Sequence, residues 1–203
     1  MIVKVCGMRD ADNIRQIEPL GIRLMGFVFY PPSPRYAGER PVYLPENILK
    51  TGVFVNAGWD EIQEKRVLFD LDYIQLHGGE SPDLCVRLRE SGVKVIKAFP
   101  VKTAEDLIPC RHYADGCDLF LFDTRTEEYG GSGRSFSWSV LESYTGPVPF
   151  LLSGGIGPDD IDKINAFRHP CWAGVDLNSR FESRPGIKNP EQLKHFIENL
   201  KKL

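Results

Sequence analysis

The stretch GVFVNAGWDEIQEKRVLFDLDYIQLHGG, residues 52–79, holds two short apolar runs on either side of a charged segment. The runs GVFVN and YIQLH are rich in β-branched and aromatic residues, as is typical of strands that are buried on both faces. Between them, Asp60–Phe69 has the mixed charged and apolar pattern of an amphipathic helix. Two parallel strands require such a crossover, so this stretch predicts one β/α/β unit of a parallel sheet.

The same alternation recurs along the whole chain. Eight apolar runs predict strands, and they read IVKVC, LMGFVF, GVFVN, YIQLH, KVIKAF, LFLFD, PFLLSG and AGVDL. Helices are predicted over Asp10–Ile17, Asp60–Phe69, Pro82–Ser91, Thr103–Ala114, Trp138–Tyr144, Pro158–Phe167 and Pro190–Leu203. Ser81-Pro82 and Asn189-Pro190 have the form of helix starts, with a capping side chain before a first-turn proline. The proline-rich residues 30–45, between the second and third runs, carry little helical signal.

Eight β/α units in succession predict an α/β fold, a single compact (β/α)₈ barrel of the TIM type that forms one domain over residues 1–203. An open, doubly wound sheet is the alternative. No G-x-G-x-x-G follows the first strand, and eight evenly spaced units exceed what that fold usually needs.

Composition narrows the class of protein. The chain has 203 residues with 42% hydrophobic and 26% charged side chains, and its net charge of −3 argues against nucleic acid or an anionic membrane as partner. No run has membrane-spanning length, and the apolar start ends at Lys4, too early for a signal peptide. The five cysteines are irregularly spaced and the four histidines are scattered, so we expect no metal site, no disulfides and a cytoplasmic location.

Polar residues collect where the predicted strands end, which is where barrels of this type carry their chemistry. These residues are Cys6, Asn56, His77, Asp123, Ser153, Gly154, Gly155, Asp176, Asn178 and Ser179, with Arg35 in the loop after the second strand. One such residue alone is readily explained by packing, and an inert buried thiol is the ordinary state of a cysteine like Cys6. Their convergence on one rim predicts a functional site.

The segment SGGIGPDDI, residues 153–161, predicts an anion site after the seventh strand. Backbone N–H groups of Gly154 and Gly155 can surround a phosphate, and barrels often bind phosphate at the loops after strands seven and eight. The alternative is that these glycines only permit tight turns. Residues 130–135, GGSGRS, lack the spacing of a P-loop and predict a flexible active-site loop instead.

Seven ordered motifs together resemble the phosphoribosylanthranilate isomerase family of tryptophan biosynthesis. They are KVCG, GFVFYPPSPR, GVFVN, IQLHGGE, FDTRTEEYGGSGRSFSW, LLSGGIGPDDI and GVDLNSRFESRPGIKN. The resemblance runs from Lys4 to about Asn189. It implies an Amadori rearrangement of N-(5-phosphoribosyl)anthranilate, a small phosphosugar, into the 1-(2-carboxyphenylamino)-1-deoxyribulose 5-phosphate ketose. It implies no cofactor and leaves both a monomer and a homodimer open.

The resemblance also implies roles for individual residues. Cys6 falls on the base of the family, Asp123 on its acid and Arg35 on the residue that holds the anthranilate carboxylate. The phosphate would bind Gly154, Gly155, Asn178 and Ser179, and His77 and Asp176 would line the same rim. Arg180 stands where the family commonly has glycine, and we expect it to add a cation to the phosphate site.

The two catalytic roles make opposite demands on the residues. Asp123 must be protonated, and its apolar surroundings in LFLFD are expected to raise its pKa. Cys6 must be a thiolate, and Lys4 on the same strand face either lowers the thiol pKa or is neutralised by Asp176 on the last strand. Two other functions remain: a phosphosugar-binding barrel without activity, and another ribose-phosphate enzyme such as indole-glycerol-phosphate synthase, whose chemistry calls for lysine and glutamate at the rim.

Overall fold

Eight parallel strands form a closed barrel in the computed structural model, which describes residues 1–123 and 138–200. The strands are β1 Ile2–Val5, β2 Leu24–Val28, β3 Leu49–Phe54, β4 Tyr73–Leu76, β5 Lys94–Pro100, β6 Leu119–Asp123, β7 Phe150–Ser153 and β8 Trp172–Leu177. Each strand pairs with the next along the chain, and β8 pairs with β1 so that Lys4 lies opposite Asp176. The predicted barrel is confirmed, and this closure excludes the open sheet.

Helices follow most strands and pack outside the barrel. The α-helices are α1 Ala11–Ile17, α2 Trp59–Phe69, α3 Pro82–Glu90, α4 Ile161–Ala166 and α5 Pro190–Asn199. The 3-10 helices are Glu18–Leu20, Ala104–Gly116, Trp138–Ser143, Pro158–Asp160 and Ser179–Phe181. The predicted starts of α3 and α5 are confirmed, because Ser81 accepts a hydrogen bond from the Leu84 N–H and Asn189 accepts one from the Gln192 N–H. No helix within the described ranges is both long and apolar enough to cross a membrane.

The helix predicted at Thr103–Ala114 differs from a regular α-helix. It is a 3-10 helix over Ala104–Gly116 with Pro109 inside it. Proline lacks the N–H that an α-helical bond requires, and its ring clashes with the carbonyl four residues before it. The tighter helix form over this segment is consistent with that restriction. The proline-rich residues 30–45 contain no helix, as the sequence predicts.

Apolar side chains fill both sides of the barrel wall. Outward-facing strand residues pack against the helices, and the barrel interior is filled by Leu24, Tyr73, Ile96, Ala98, Leu119, Leu121 and Leu151. Near the carboxyl ends of the strands, Cys6 packs with Val28 and Val53 in a small separate cluster. The packed interior thus forms the floor of any site at the carboxyl ends of the strands.

A short antiparallel hairpin follows β8. It consists of β9 Glu182–Arg184 and β10 Ile187–Lys188. The side chain of Asn13 in α1 is only 3% exposed, and it accepts a hydrogen bond from the backbone N–H of Lys188 and donates one to its carbonyl. This double contact ties the hairpin to α1, beside the carboxyl end of β1.

Candidate active site

A cavity of about 170 Å³ opens at the carboxyl ends of the strands. The predicted site residues in its wall are Cys6, Arg35, His77, Asp123, Ser153, Gly155, Asp176, Asn178 and Ser179, whereas Asn56 lies outside it. Gly154 and Arg180 are not part of that wall. The remaining wall includes Tyr30, Ser33 and Gln75, which the sequence analysis did not single out. Gln75 sits inside an apolar run, and its inward position, two residues before His77, was the available signal.

Cys6 and Asp123 reach the cavity because side chains alternate across a strand. Asp123 shares the inward face of β6 with Leu119 and Leu121, and Cys6 follows β1 on the face that carries Lys4. Strands β7 and β8 separate β6 from β1 on one side of the barrel, and four strands separate them on the other. A thiol and a carboxyl therefore approach the cavity from well-separated parts of its wall.

The Cys6 thiol lies in a buried and electrically balanced environment. The Lys4 ammonium is fully buried and donates a 2.9 Å hydrogen bond to the Asp176 carboxylate. Burial raises the pKa of Cys6 above its ordinary value, although Lys4 acts in the opposite direction. The sequence leaves two roles open for Lys4, and the structure shows its pairing with Asp176. Its lowering effect on the Cys6 pKa is smaller than the raising effect of burial.

Glycine at position 26 makes room for this thiol. A Cβ atom there would lie 2.6 Å from the Cys6 Sγ and 3.1 Å from its Cα. The distance to Sγ is shorter than real Cβ contacts, and the backbone Cα at 3.1 Å leaves a tight fit that cannot be relieved by turning the side chain. Gly26 in β2 thus allows Cys6 to occupy its position against the neighbouring strand.

Asp123 lies beside His77, which is itself held by Gln75. The Nδ1 atom of His77 is 2.9 Å from Gln75 Nε2, and its Nε2 atom is 3.7 Å from Asp123 Oδ2. The His77 side chain is 35% exposed and that of Asp123 is 19% exposed. Gln75 thus holds the ring of His77 next to the Asp123 carboxyl.

The loops after β7 and β8 form the predicted phosphate region. Gly154 and Gly155 have φ of 104° and 76°, a region of backbone conformation that favours glycine. Gly155, Asn178 and Ser179 face the cavity. Arg180 is exposed and lies against the neighbouring loop, with its Nε 3.2 Å from where a Gly157 Cβ would be. Arg180 therefore contacts the phosphate region from its outer side.

Arg35 is engaged by a residue that the sequence analysis missed. Glu182 accepts hydrogen bonds from Arg35 Nε at 2.9 Å and from Nη2 at 2.6 Å, and from Lys188 Nζ at 2.6 Å. Burial opposes the charged carboxylate, yet the hydrogen bonds from Arg35 and Lys188 hold the pKa of Glu182 below its usual value. Glu182 and Lys188 lie within the last resemblance motif, but their sequence positions do not indicate this contact.

Other sequence predictions bear on the site. The predicted flexible loop at residues 130–135 lies outside the described residues. Among those that are described, no group of three or more His, Cys, Asp or Glu side chains could hold a metal ion. The described cavity wall also contains no lysine or glutamate, the residue types that the indole-glycerol-phosphate synthase alternative calls for.

Comparisons with known proteins agree with this arrangement. The sequence model of the N-(5'-phosphoribosyl)anthranilate (PRA) isomerase family matches residues 3–199. An N-(5'-phosphoribosyl)anthranilate isomerase from Parabacteroides distasonis is 48% identical over 206 residues, covering 98% of this chain and 93% of the relative.

Solved structures are similar over the same length. The phosphoribosyl anthranilate isomerase of Thermotoga maritima superimposes with a TM-score of 0.81 at 33% identity, covering 98% of both chains. A phosphoribosyl anthranilate isomerase in complex with reduced 1-(o-carboxyphenylamino)-1-deoxyribulose 5-phosphate gives a TM-score of 0.79 at 30% identity, again covering 98% of both. The chain belongs to the N-(5'-phosphoribosyl)anthranilate isomerase family.

Proposed function

We propose that Cys6 is the general base and Asp123 the general acid with which this isomerase of tryptophan biosynthesis acts on N-(5'-phosphoribosyl)anthranilate. The observation that supports the proposal most is that the thiol and the carboxyl reach one cavity from separated strands, with anion-binding groups in the same wall. An aldose-to-ketose rearrangement needs one proton donor and one proton acceptor held apart around the sugar.

The proposed reaction moves only protons and electron pairs. Asp123 donates its proton to the furanose oxygen while the nitrogen lone pair opens the ring to an iminium. The Cys6 thiolate then removes the proton at C2 to give an enolamine. Return of that proton from Cys6 to C1, with transfer of the O2 proton to Asp123, yields the ketone and restores both groups. C1 is reduced as C2 is oxidised, so the balance requires no external oxidant or reductant.

The substrate carries two anionic groups, and we assign them to separate parts of the wall. The phosphate binds at Gly155, Asn178 and Ser179, which face the cavity, and at the adjoining Gly154 outside the wall. The anthranilate carboxylate binds Arg35, which faces the cavity and remains 18% exposed while contacting Glu182. His77 and Asp176 also line the cavity, where His77 lies 3.7 Å from Asp123 and Asp176 balances the charge of Lys4.

We expect Arg35→Met to weaken substrate binding by about 1.5–3 kcal/mol, the range for a charge-assisted hydrogen bond, which corresponds to an increase in KM of roughly 10- to 150-fold. Steady-state kinetics measures the effect. Arg184→Met is the matched control, because Arg184 is exposed on the hairpin that carries Glu182 and does not line the cavity. Unchanged KM and kcat in Arg35→Met would contradict the assignment.

A smaller effect is expected for Arg180→Gly. Arg180 is exposed, so its attraction for a phosphate is screened by solvent and worth about 0.2–1 kcal/mol. Inorganic phosphate should bind about 1.5- to 5-fold more weakly to the variant, with a shallower dependence on salt concentration. Calorimetry at low and high salt tests this. Equal affinities of both proteins at both salt concentrations would show that Arg180 takes no part in phosphate binding.

We further propose that residues 1–203 form one barrel domain and that the protein works in the cytoplasm. The location is supported by the five cysteines, all of which are free thiols, as is usual for proteins of a reducing compartment.

A further inference from the structure

A buried pair of charges lies behind Arg35, outside the cavity wall. The side chain of Lys188 is fully buried and that of Glu182 is 4% exposed, and their charged atoms are 2.6 Å apart. Neither residue lines the cavity, so neither can touch a ligand there directly. Burying charged groups in this way is costly unless they are well paired, which raises the question of what the pair does for the site.

Glu182 holds one edge of the Arg35 guanidinium. It accepts hydrogen bonds from Nε and Nη2, which leaves the Nη1 group, and Nη1 makes no hydrogen bond within residues 1–123 and 138–200. A guanidinium is a rigid planar fork, so gripping one edge determines where the other edge points. Arg35 is therefore held in a fixed orientation with donor capacity remaining on the side that Glu182 does not occupy.

The same contact creates an electrostatic problem that Lys188 resolves. Arg35 and Glu182 together carry no net charge, and a neutral pair attracts a further anion only weakly. Lys188 adds a positive charge, so the three side chains together carry +1. Its Nζ lies within 2.6 Å of a Glu182 oxygen and 2.8 Å of Asn178 Oδ1, and two such acceptors favour the ammonium form. Burial lowers the pKa of Lys188, and the Glu182 carboxylate opposes that effect.

We propose that Glu182 and Lys188 are positioning residues for carboxylate recognition: Glu182 orients Arg35, and Lys188 supplies the positive charge that Glu182 would otherwise cancel. This inference rests on the proposed assignment of the substrate carboxylate to Arg35. It makes Lys188 a determinant of specificity although its side chain is fully buried.

Calorimetry with two ligands tests the proposal. Reduced 1-(o-carboxyphenylamino)-1-deoxyribulose 5-phosphate carries both the carboxylate and the phosphate, whereas ribose 5-phosphate carries only the phosphate. Lys188→Met should bind the carboxylated ligand roughly tenfold or more weakly, because the net charge of Arg35, Glu182 and residue 188 together falls from +1 to zero. Ribose 5-phosphate should lose much less affinity.

The double variant Glu182→Gln/Lys188→Met separates charge from packing. It removes one negative and one positive charge, so the net charge returns to +1, and the amide oxygen can still accept a hydrogen bond from Arg35. Carboxylated-ligand affinity should therefore recover several-fold relative to Lys188→Met. A merely structural role predicts that the double variant is at least as impaired as the single one. Lys188→Gln makes the same charge change if the methionine variant does not fold.

The outcomes distinguish this inference from the proposed function. If Lys188→Met weakens both ligands equally, or if the double variant binds no better than Lys188→Met, the positioning role is wrong. Arg35→Met in the same experiment is the reference. If it loses the carboxylated ligand while Lys188→Met does not, only the inference fails. If Arg35→Met binds both ligands as the natural protein does, the carboxylate assignment of Arg35 is itself wrong.

Discussion

Cys6→Ser should lower kcat by about 10²–10⁴-fold or more, the usual value of a general base, while KM changes little. Serine keeps the shape of the side chain, but its hydroxyl forms almost no anion near neutral pH. The change leaves the anion-binding residues untouched, so binding should persist. Stopped assays on freshly prepared substrate measure both constants.

Cys171→Ser is the matched control for this variant. Cys171 is a half-buried free thiol that donates to the Gly146 carbonyl, a bond that serine can also make, and it lies outside the cavity wall. We expect that control to keep its turnover. A Cys6→Ser protein with nearly full turnover would end the base assignment, and Asp176 and His77 would be the next candidates.

Asp123→Asn should also lower kcat by about 10²–10⁴-fold, because asparagine preserves the shape of the side chain and has no acidic proton to donate. Asp159→Asn is a suitable control, since Asp159 is an exposed carboxylate in the turn after β7 and does not line the cavity. Turnover near that of the natural protein in Asp123→Asn would mean that another donor, such as His77 at 3.7 Å from Asp123, protonates the ring oxygen.

The activities of Cys6→Ser and Asp123→Asn should change with pH in opposite directions. If Cys6 is the base and Asp123 the acid, activity requires a thiolate and a protonated carboxyl together, and burial raises the pKa of Cys6. The profile should therefore be bell-shaped, with activity rising as Cys6 loses its proton and falling as Asp123 loses its own.

Each variant should keep only one of these two transitions. Residual activity of Asp123→Asn depends on the thiolate alone, so it should rise with pH through a midpoint above the ordinary thiol value. Residual activity of Cys6→Ser depends on the protonated carboxyl alone, so it should fall as pH rises. Profiles of kcat/KM for both variants test this, and a falling profile for Asp123→Asn would contradict the division of roles.

Much of the architecture could be predicted because it depends on local pattern. The apolar runs indicate the strands, and the capping residues indicate the starts of α3 and α5. The polar residue that follows each apolar run is the one expected at the rim. Side-chain alternation then assigns Cys6 and Asp123 to the inner face of the barrel. The helix at Ala104–Gly116 lies where the sequence predicts a helix. It is a 3-10 helix with Pro109 inside it, a form that the periodicity does not indicate.

Contacts between residues of the site could not be predicted from local sequence pattern. The sequence offers the Lys4–Asp176 pair only as one of two alternatives, and these residues, 172 positions apart, meet because β8 closes on β1. It gives no sign of the contact between Arg35 and Glu182, which are 147 positions apart. Local pattern assigns a residue to a face of its own strand and carries no information about the neighbour across the barrel. The sequence by itself therefore determined the order of elements and the residue types on the rim. Only the tertiary structure decided that Asp176 neutralises Lys4, that burial raises the Cys6 pKa and that Glu182 holds Arg35, because burial and charge pairing depend on atoms brought together by the closed barrel.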